Sequence, residues 1–450
     1  MNEIGSVRDA VAKKRNPSAK ASFPADPFLR LFVMLIPFQA APLLFGSVST
    51  GTQVLFVVAM LASTTLVLDA RFLSPTDRLE HKALIWFLVY IVIFAISFIR
   101  SIPHLPRFAA LFPLAFSSSV LAYFRWSFLL NVLFASSFVY VLKRMTSRRD
   151  LKHLFSAISI SVFLLSIAVI FLILSDPSVI TSRYRSGING LTQSYLGQHY
   201  NDVANYYILT GPVLLYLALK RGSYWTVNYG LALAAVLLLQ SRTGILTFFA
   251  ASIATTIALG RAKTLVAAAP FIALGVLVAF GPVLTNLLSQ GLDTQTGVST
   301  DILLSGRLDK IWAPLLSEWW DDPARFYFGA GEYGLLSSNA FGGITLLRVG
   351  HPHNAFIEFF LDNGIVLFSA LIVVIGVYLR WGWRVGRRFQ SDAFWVLYLC
   401  TLAYLVGCFT GRHFWPDASN LTVFPILAAL VNVARLESYG EQGARLRRVR

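Results

Sequence analysis

The chain has 450 residues, of which 56% are hydrophobic and only 13% are charged, and its mean hydropathy is +0.64. Soluble domains carry about a quarter charged residues, so this composition excludes an ordinary water-soluble protein. The apolar residues occur in repeated runs of membrane-spanning length. We therefore expect one polytopic membrane domain rather than several soluble ones.

Twelve apolar segments are long enough to be interpreted as membrane crossings. They cover residues 28–48, 52–69, 83–99, 126–142, 153–174, 203–219, 224–240, 244–259, 264–284, 354–379, 393–410 and 418–434. A further apolar segment, 108–124, contains Pro113 and three serines, and we interpret it as re-entrant or interfacial. The prediction is an all-α bundle of about twelve transmembrane helices over residues 28–434, between a basic tail at 1–27 and another at 435–450.

The distribution of lysine and arginine predicts the orientation of the bundle. If 108–124 does not cross, 26 of the 38 Lys and Arg residues lie on one side and ten on the other. Cytoplasmic loops carry the excess of positive residues, so both basic tails are expected to be cytoplasmic. The N-terminal tail has no short apolar core and is not expected to be a cleaved signal peptide. We attribute the net charge of +16 to contacts with anionic lipids rather than with nucleic acid.

This orientation leaves two substantial outer segments, residues 175–201 and 285–350. The cytoplasmic loops are short, and the sequence contains no GxxxxGK[ST] motif and no GxGxxG that opens a helix after a strand. ATP-driven chemistry within the chain is therefore not expected. Cys400 and Cys408 would lie about 12 Å apart along one helix, too far for a disulfide. We expect no cysteine-based metal site and no cofactor.

The most informative stretch is GHPHNAFIEFFLDNG, residues 350–364, where the large outer segment enters the tenth crossing. Pro352 suits the first turn of a helix, and a histidine at such a helix start is expected to stay neutral and able to accept a proton. Asn354, Glu358 and Asp362 recur every four residues and form a polar strip on one helical face. From the residues alone, a capping and packing role stays open beside a catalytic one.

Arginines at the outer boundary are the second signal. Arg242 lies in QSRTG between two apolar segments, and Arg307 lies in SGRLDKIW, shortly before Trp312, which we expect at the bilayer surface. Guanidinium groups bind phosphate oxygens through paired hydrogen bonds, although a single interfacial arginine also binds lipid headgroups. Arg183 and Arg185 lie in a loop with several glycine and asparagine residues, and they fit the lipid role less well.

Residues 183–365 resemble the bacterial O-antigen ligase and polymerase superfamily. Three motifs carry the resemblance: SRTG at a helix turn, SGRxxxxW in the large loop and HPHNxxxExxxDNG at the next helix. Members of this superfamily are membrane glycosyltransferases that use a glycan carried on undecaprenyl diphosphate. The resemblance implies that His353 is the catalytic general base and that Arg242 and Arg307 bind the diphosphate. It leaves a supporting role for His351, Asn354, Glu358, Arg183 and Arg185.

The resemblance further implies a metal-independent, inverting transfer at the periplasmic face of the bacterial inner membrane. The donor would be an undecaprenyl-diphosphate-linked glycan and the acceptor a glycan or lipid-linked glycan, in lipopolysaccharide or exopolysaccharide synthesis. The residues do not separate a ligase from a polymerase. A transporter or flippase of a lipid-linked glycan explains the helices and arginines equally well, but it explains the long loop at 285–350 less readily.

Overall fold

The structure is a computed structural model that describes most of the chain. The described residues are 27–38, 41–46, 53–54, 57–61, 77–111, 119–181, 186–264, 273, 307–332, 334–340, 352–409 and 421–448. Within these ranges the chain is helical and contains no strand, which confirms the all-α class.

Among the described residues, seventeen α-helices have defined bounds and are numbered in chain order. They are α1 (Pro27–Leu35), α2 (Pro42–Phe45), α3 (Arg78–Ser101), α4 (Leu105–Leu111), α5 (Val120–Tyr123), α6 (Leu130–Ala135), α7 (Ser137–Arg144), α8 (Arg148–Ser175), α9 (Ser186–Leu191), α10 (Tyr200–Arg221), α11 (Ser223–Leu238), α12 (Arg242–Ala258), α13 (Ala313–Asp321), α14 (Pro323–Phe328), α15 (Ala355–Phe389), α16 (Asp392–Gly407) and α17 (Val423–Arg448). Short 3₁₀ helices cover Ile36–Phe38, Ile102–His104, Pro177–Thr181 and Gly334–Ser337, and π-helical turns cover Phe124–Leu129, Thr192–Leu196 and Leu308–Trp312.

Four helical stretches in the described part of the chain are long and apolar enough to span a membrane. They are Arg78–Arg107, which joins α3 to the start of α4, together with α8, α10 and α15. The shorter apolar helices α11, α12 and α16 run beside them. The expected count of about twelve crossings is therefore not confirmed, although the multi-pass character of the protein is supported.

Two of the expected crossings are interrupted helices. Residues 28–48 are divided among α1, a 3₁₀ turn and α2, with Pro37 in the turn and Pro42 at the start of α2. Proline lacks the amide hydrogen that an uninterrupted helix needs. Residues 126–142 pass from a π-helical turn through α6 into α7. Most of 52–69 and 264–284 lies outside the described residues, as does 112–118 within the segment expected to be re-entrant.

The central helix of the bundle is α10, which packs against α11, α12 and α16 and is largely buried. Around this centre, α8 packs against α1 and α11, and α17 packs against α7 and α16. By contrast, α3 and α15 leave most of their apolar surface outside the protein core. Such exposed apolar faces on long helices are what a lipid environment covers.

One end of the bundle gathers charged groups from the segments expected to be cytoplasmic. Buried Glu80 pairs with Lys143 and, at 2.9 Å, with Arg435. Lys220, at the end of α10, pairs with Asp392 at the start of α16 at 2.8 Å. α8 begins at this end and α10 ends at it, so α10 begins at the opposite end. α11 leaves this end directly after α10, and α12 therefore also begins at the opposite end. α15 ends just before Asp392, so its start lies at the opposite end as well.

The helix α15 is broken at Gly364, whose φ is +73°. The break releases carbonyls that an intact helix would use, and the segment after α14 supplies donors for them. Ala330 N–H donates to the Leu361 carbonyl at 2.9 Å, and Gly331 N–H donates to the Asp362 carbonyl at 2.8 Å. The outer part of α15 is thereby fixed to the loop that precedes it.

Gly364→Ala is expected to destabilise the protein by roughly 1–3 kcal/mol or more, because a side chain at positive φ is strained. A Cβ at Gly364 would also overlap the backbone of Tyr327 and Phe328. The matched control is Gly376→Ala in the same helix, where a Cβ meets open space and alanine is the better helix former. Thermal unfolding of the purified proteins in detergent checks this, and equal melting temperatures for the two variants would contradict it.

Candidate active site

The start of α15 is fixed by an asparagine cap. Asn354 Oδ1 accepts hydrogen bonds from the amides of Phe356 at 3.0 Å and Ile357 at 3.2 Å, which satisfies donors that the first helical turn leaves open. The Ala355 amide donates to the carbonyl of Cys408, just after α16, at 2.8 Å. These hydrogen bonds fix the start of α15 against the end of α16.

His353 lies directly before this cap in an unusual backbone conformation. Its φ is +55°, in the left-handed region that non-glycine residues rarely adopt. Residues held in such conformations by their surroundings concentrate at functional sites. The side chain is partly buried.

A tryptophan connects the large outer loop to the turn that carries His353. Trp312 Nε1–H donates to the carbonyl of Pro352 at 2.7 Å. Trp312 ends the π-helical turn that begins just after Arg307, so the same bond holds the Arg307 segment beside His353. The indole N–H of Trp312 is therefore used inside the protein, and the expected contact of its ring with the bilayer surface stays a prediction.

Arg307, His353 and His199 form one electrostatic group. The pKa of His353 is lowered to about 3, mainly by burial and further by the positive charges of Arg307 and His199. Burial and the charge of Arg307 lower the pKa of His199 to about 4. Burial also lowers the pKa of Arg307, yet a guanidinium remains protonated at neutral pH. Two neutral imidazoles therefore lie near a partly buried cation.

A chain of hydrogen bonds connects this group to the start of α12. His199 Nδ1 accepts from the Asn201 amide at 3.2 Å and caps α10. Asn201 Oδ1 accepts from Ser241 Oγ at 2.8 Å, and Ser241 Oγ accepts from the Gly244 amide at 3.2 Å and caps α12. Arg242, the first residue of α12, is thus placed at the same end of the bundle as His199.

The residues expected to support the site have different places in the structure. Asn354 serves as the helix cap, and Glu358 is buried one turn further along α15. Asp362 Oδ1 accepts a hydrogen bond from the Gly334 amide at 3.0 Å. For Asn354 and Asp362, these contacts favour the capping and packing role that the sequence left open. The other three expected residues, Arg183, Arg185 and His351, lie outside the described part of the chain.

His199 is the residue that the sequence did not single out. It lies in a segment that the sequence analysis expects to be outer, two residues before Asn201 and immediately ahead of an apolar helix. That pattern indicates a helix start, but nothing local indicates that α10 begins beside Arg307 and His353.

The arrangement is suited to binding an anion. The starts of α10, α12 and α15 lie at one end of the bundle, and helix N-termini favour negative charge. Arg242 and Arg307 add two cations at the same end, while the neutral imidazoles provide hydrogen-bond donors and acceptors. Among the residues that the structure describes, no group of three or more His, Cys, Asp or Glu side chains is arranged to hold a metal ion.

These features indicate a multi-pass membrane protein whose histidine-containing site is suited to an anion. Residues 227–372 match the family described as O-Antigen ligase, and Arg242, Arg307 and His353 all lie in that range. The match confirms the resemblance to the O-antigen ligase and polymerase superfamily. No curated protein matches the chain.

Trp312→Phe is expected to lower the stability of the protein by about 1–3 kcal/mol, because the buried Pro352 carbonyl loses its indole donor while the aromatic ring is largely retained. The control is Trp383→Phe, at an exposed position on α15. Thermal unfolding of both purified variants measures the difference. A Trp312→Phe protein as stable as the control would show that this hydrogen bond contributes little.

Proposed function

We propose that the protein is a membrane glycosyltransferase that transfers or polymerises an undecaprenyl-diphosphate-linked glycan at the periplasmic face of the bacterial inner membrane. The observation that carries the proposal is that His353, at the start of α15, is neutral and lies near the positive charge of Arg307. The O-Antigen ligase match supports this type of activity. We further propose that both termini are cytoplasmic, which the charged groups at the opposite end of the bundle support.

The arginines are proposed to bind the diphosphate. A glycosyl diphosphate reacts when its diphosphate leaves with the electron pair of the anomeric C–O bond, so negative charge develops on the leaving oxygen. Fixed cations in a water-poor site stabilise that charge. Arg242 and Arg307 can supply it without a metal ion, and both are partly buried. The polyprenyl chain would extend into lipid along apolar helix surfaces such as those of α3 and α15.

His353 is proposed to act as the general base. It accepts the proton of the acceptor sugar hydroxyl as that oxygen bonds to the anomeric carbon, and the diphosphate departs from the opposite side, which inverts the configuration. In the free protein burial and Arg307 keep the imidazole neutral. A bound diphosphate offsets the charge of Arg307, which raises the pKa of His353 toward the range in which a base is effective.

Arg242→Ala and Arg307→Ala are each expected to reduce transfer strongly, because a diphosphate contact is lost. Lysine at either position should restore activity only in part, since it cannot form the paired hydrogen bonds of a guanidinium. The control is Arg149→Ala, an exposed arginine at the start of α8. The measurement is formation of a new glycosidic bond by purified protein in detergent, where movement of the donor alone gives no product. Normal turnover in both alanine variants would assign these arginines to lipid contacts.

His353→Ala is expected to reduce the transfer rate by about 10²–10⁴-fold while donor binding is retained, as for loss of a general base. His351→Ala should have a milder effect. The control is His81→Ala, an exposed histidine near the start of α3.

The pH profile provides the second test of His353. Because its pKa in the free protein is lowered to about 3, kcat/KM should stay level as the pH falls from 8 toward 5, and activity should be lost only when His353 is protonated at lower pH. The acid limb of kcat should lie at higher pH, because the bound diphosphate raises this pKa. A His353-dependent loss of kcat/KM centred near pH 6.5 would contradict the lowered pKa in the free protein, and an acid limb of kcat that is the same in wild type and His353→Ala would contradict the general-base role.

A further inference from the structure

His199 belongs to the same electrostatic group as Arg307 and His353, although it lies on a different helix and outside the residues that match the family. Its ring is partly buried at the cap of α10, 4.4 Å from the ring of Tyr200. The charge of Arg307, which also acts on His353, acts on this ring. Its placement calls for a role toward whatever Arg307 binds.

The cap determines which ring nitrogen of His199 carries the proton. Nδ1 accepts the Asn201 amide hydrogen at 3.2 Å, and a nitrogen that accepts in a neutral imidazole carries no proton. Burial and Arg307 keep the ring neutral by lowering its pKa. The proton therefore resides on Nε2, which is a donor. With Nδ1 occupied and Nε2 protonated, His199 is poorly suited to act as a base.

We propose that His199 is a third diphosphate-binding residue, whose Nε2–H donates a hydrogen bond to a phosphate oxygen of the lipid-linked donor held by Arg242 and Arg307. The proposal rests on the proposed function and divides the two histidines by task. His199 donates to the anion, whereas His353 accepts the proton of the acceptor hydroxyl.

The hydrogen-bond chain to α12 is the independent support for this role. The backbone N–H of Asn201 donates to His199, and the side-chain oxygen of Asn201 accepts from Ser241. Ser241 caps the helix that begins with Arg242. One residue therefore sets the positions of both His199 and Arg242. The start of α12, which carries Arg242, is thereby held next to the start of α10, which carries His199.

Three substitutions separate a donor role from a capping role. His199→Ser keeps a good helix cap but has no group that reaches the Nε2 position. His199→Gln carries an amide donor at about that distance but is a poor cap. His199→Ala has neither, and His81→Ser is the control at the opposite end of the bundle. The two measurements are transfer kinetics with varied donor and direct binding of undecaprenyl diphosphate to the purified protein by native mass spectrometry.

The Ser variant is expected to have the melting temperature of the wild-type protein. Its affinity for the diphosphate should fall roughly 10–100-fold, as for loss of a hydrogen bond to a charged group. The Gln variant should recover part of that loss despite weaker folding. Full affinity in the Ser variant would overturn the proposal and leave the transfer reaction standing. Wild-type protein that binds the diphosphate through His199 but forms no glycosidic bond would instead overturn the proposed function and retain His199 as a ligand.

Discussion

The hydrogen bond from Trp312 to the carbonyl of Pro352 is the contact on which the site depends. It joins a segment of the large loop to the first turn of α15, and these two segments carry Arg307 and His353. The bond helps to fix the distance between a cation and an imidazole that lie on separate stretches of chain. Trp312 also packs against an apolar cluster that contains Ile311, Leu315 and Leu361, so packing supports this directed bond.

The sequence predicts the helical class, which the structure confirms, because helix formation depends on local pattern; the sidedness and the two segments that carry the site stay predictions. Apolar runs, basic loops and a proline-histidine-asparagine helix start can be read without knowledge of the fold. The number of crossings could not be obtained in this way. Hydropathy does not indicate that Pro37 and Pro42 interrupt the first expected crossing. It also does not distinguish a π-helical turn from any other apolar segment.

His199 shows the limit of the sequence most clearly. Its position before Asn201 indicates a cap, but its proximity to Arg307 and His353 follows from how α10 packs within the bundle. Tertiary proximity between separate helices has no signature in the periodicity of either one. The same limit applies to Asp362, whose spacing indicates a polar strip on one helical face but does not predict that its side chain accepts a hydrogen bond from the Gly334 amide.

The break at Gly364 has a mechanical consequence for this end of the molecule. Across it, α15 lacks a continuous hydrogen-bond ladder, so bending there meets less resistance than in an intact helix. The short outer part is bonded to the loop at Ala330 and Gly331, whereas the long inner part presents apolar side chains outward. Tilting of the inner part, when the thickness of the surrounding bilayer changes, can be absorbed at this joint. The histidine turn stays with the loop that holds it.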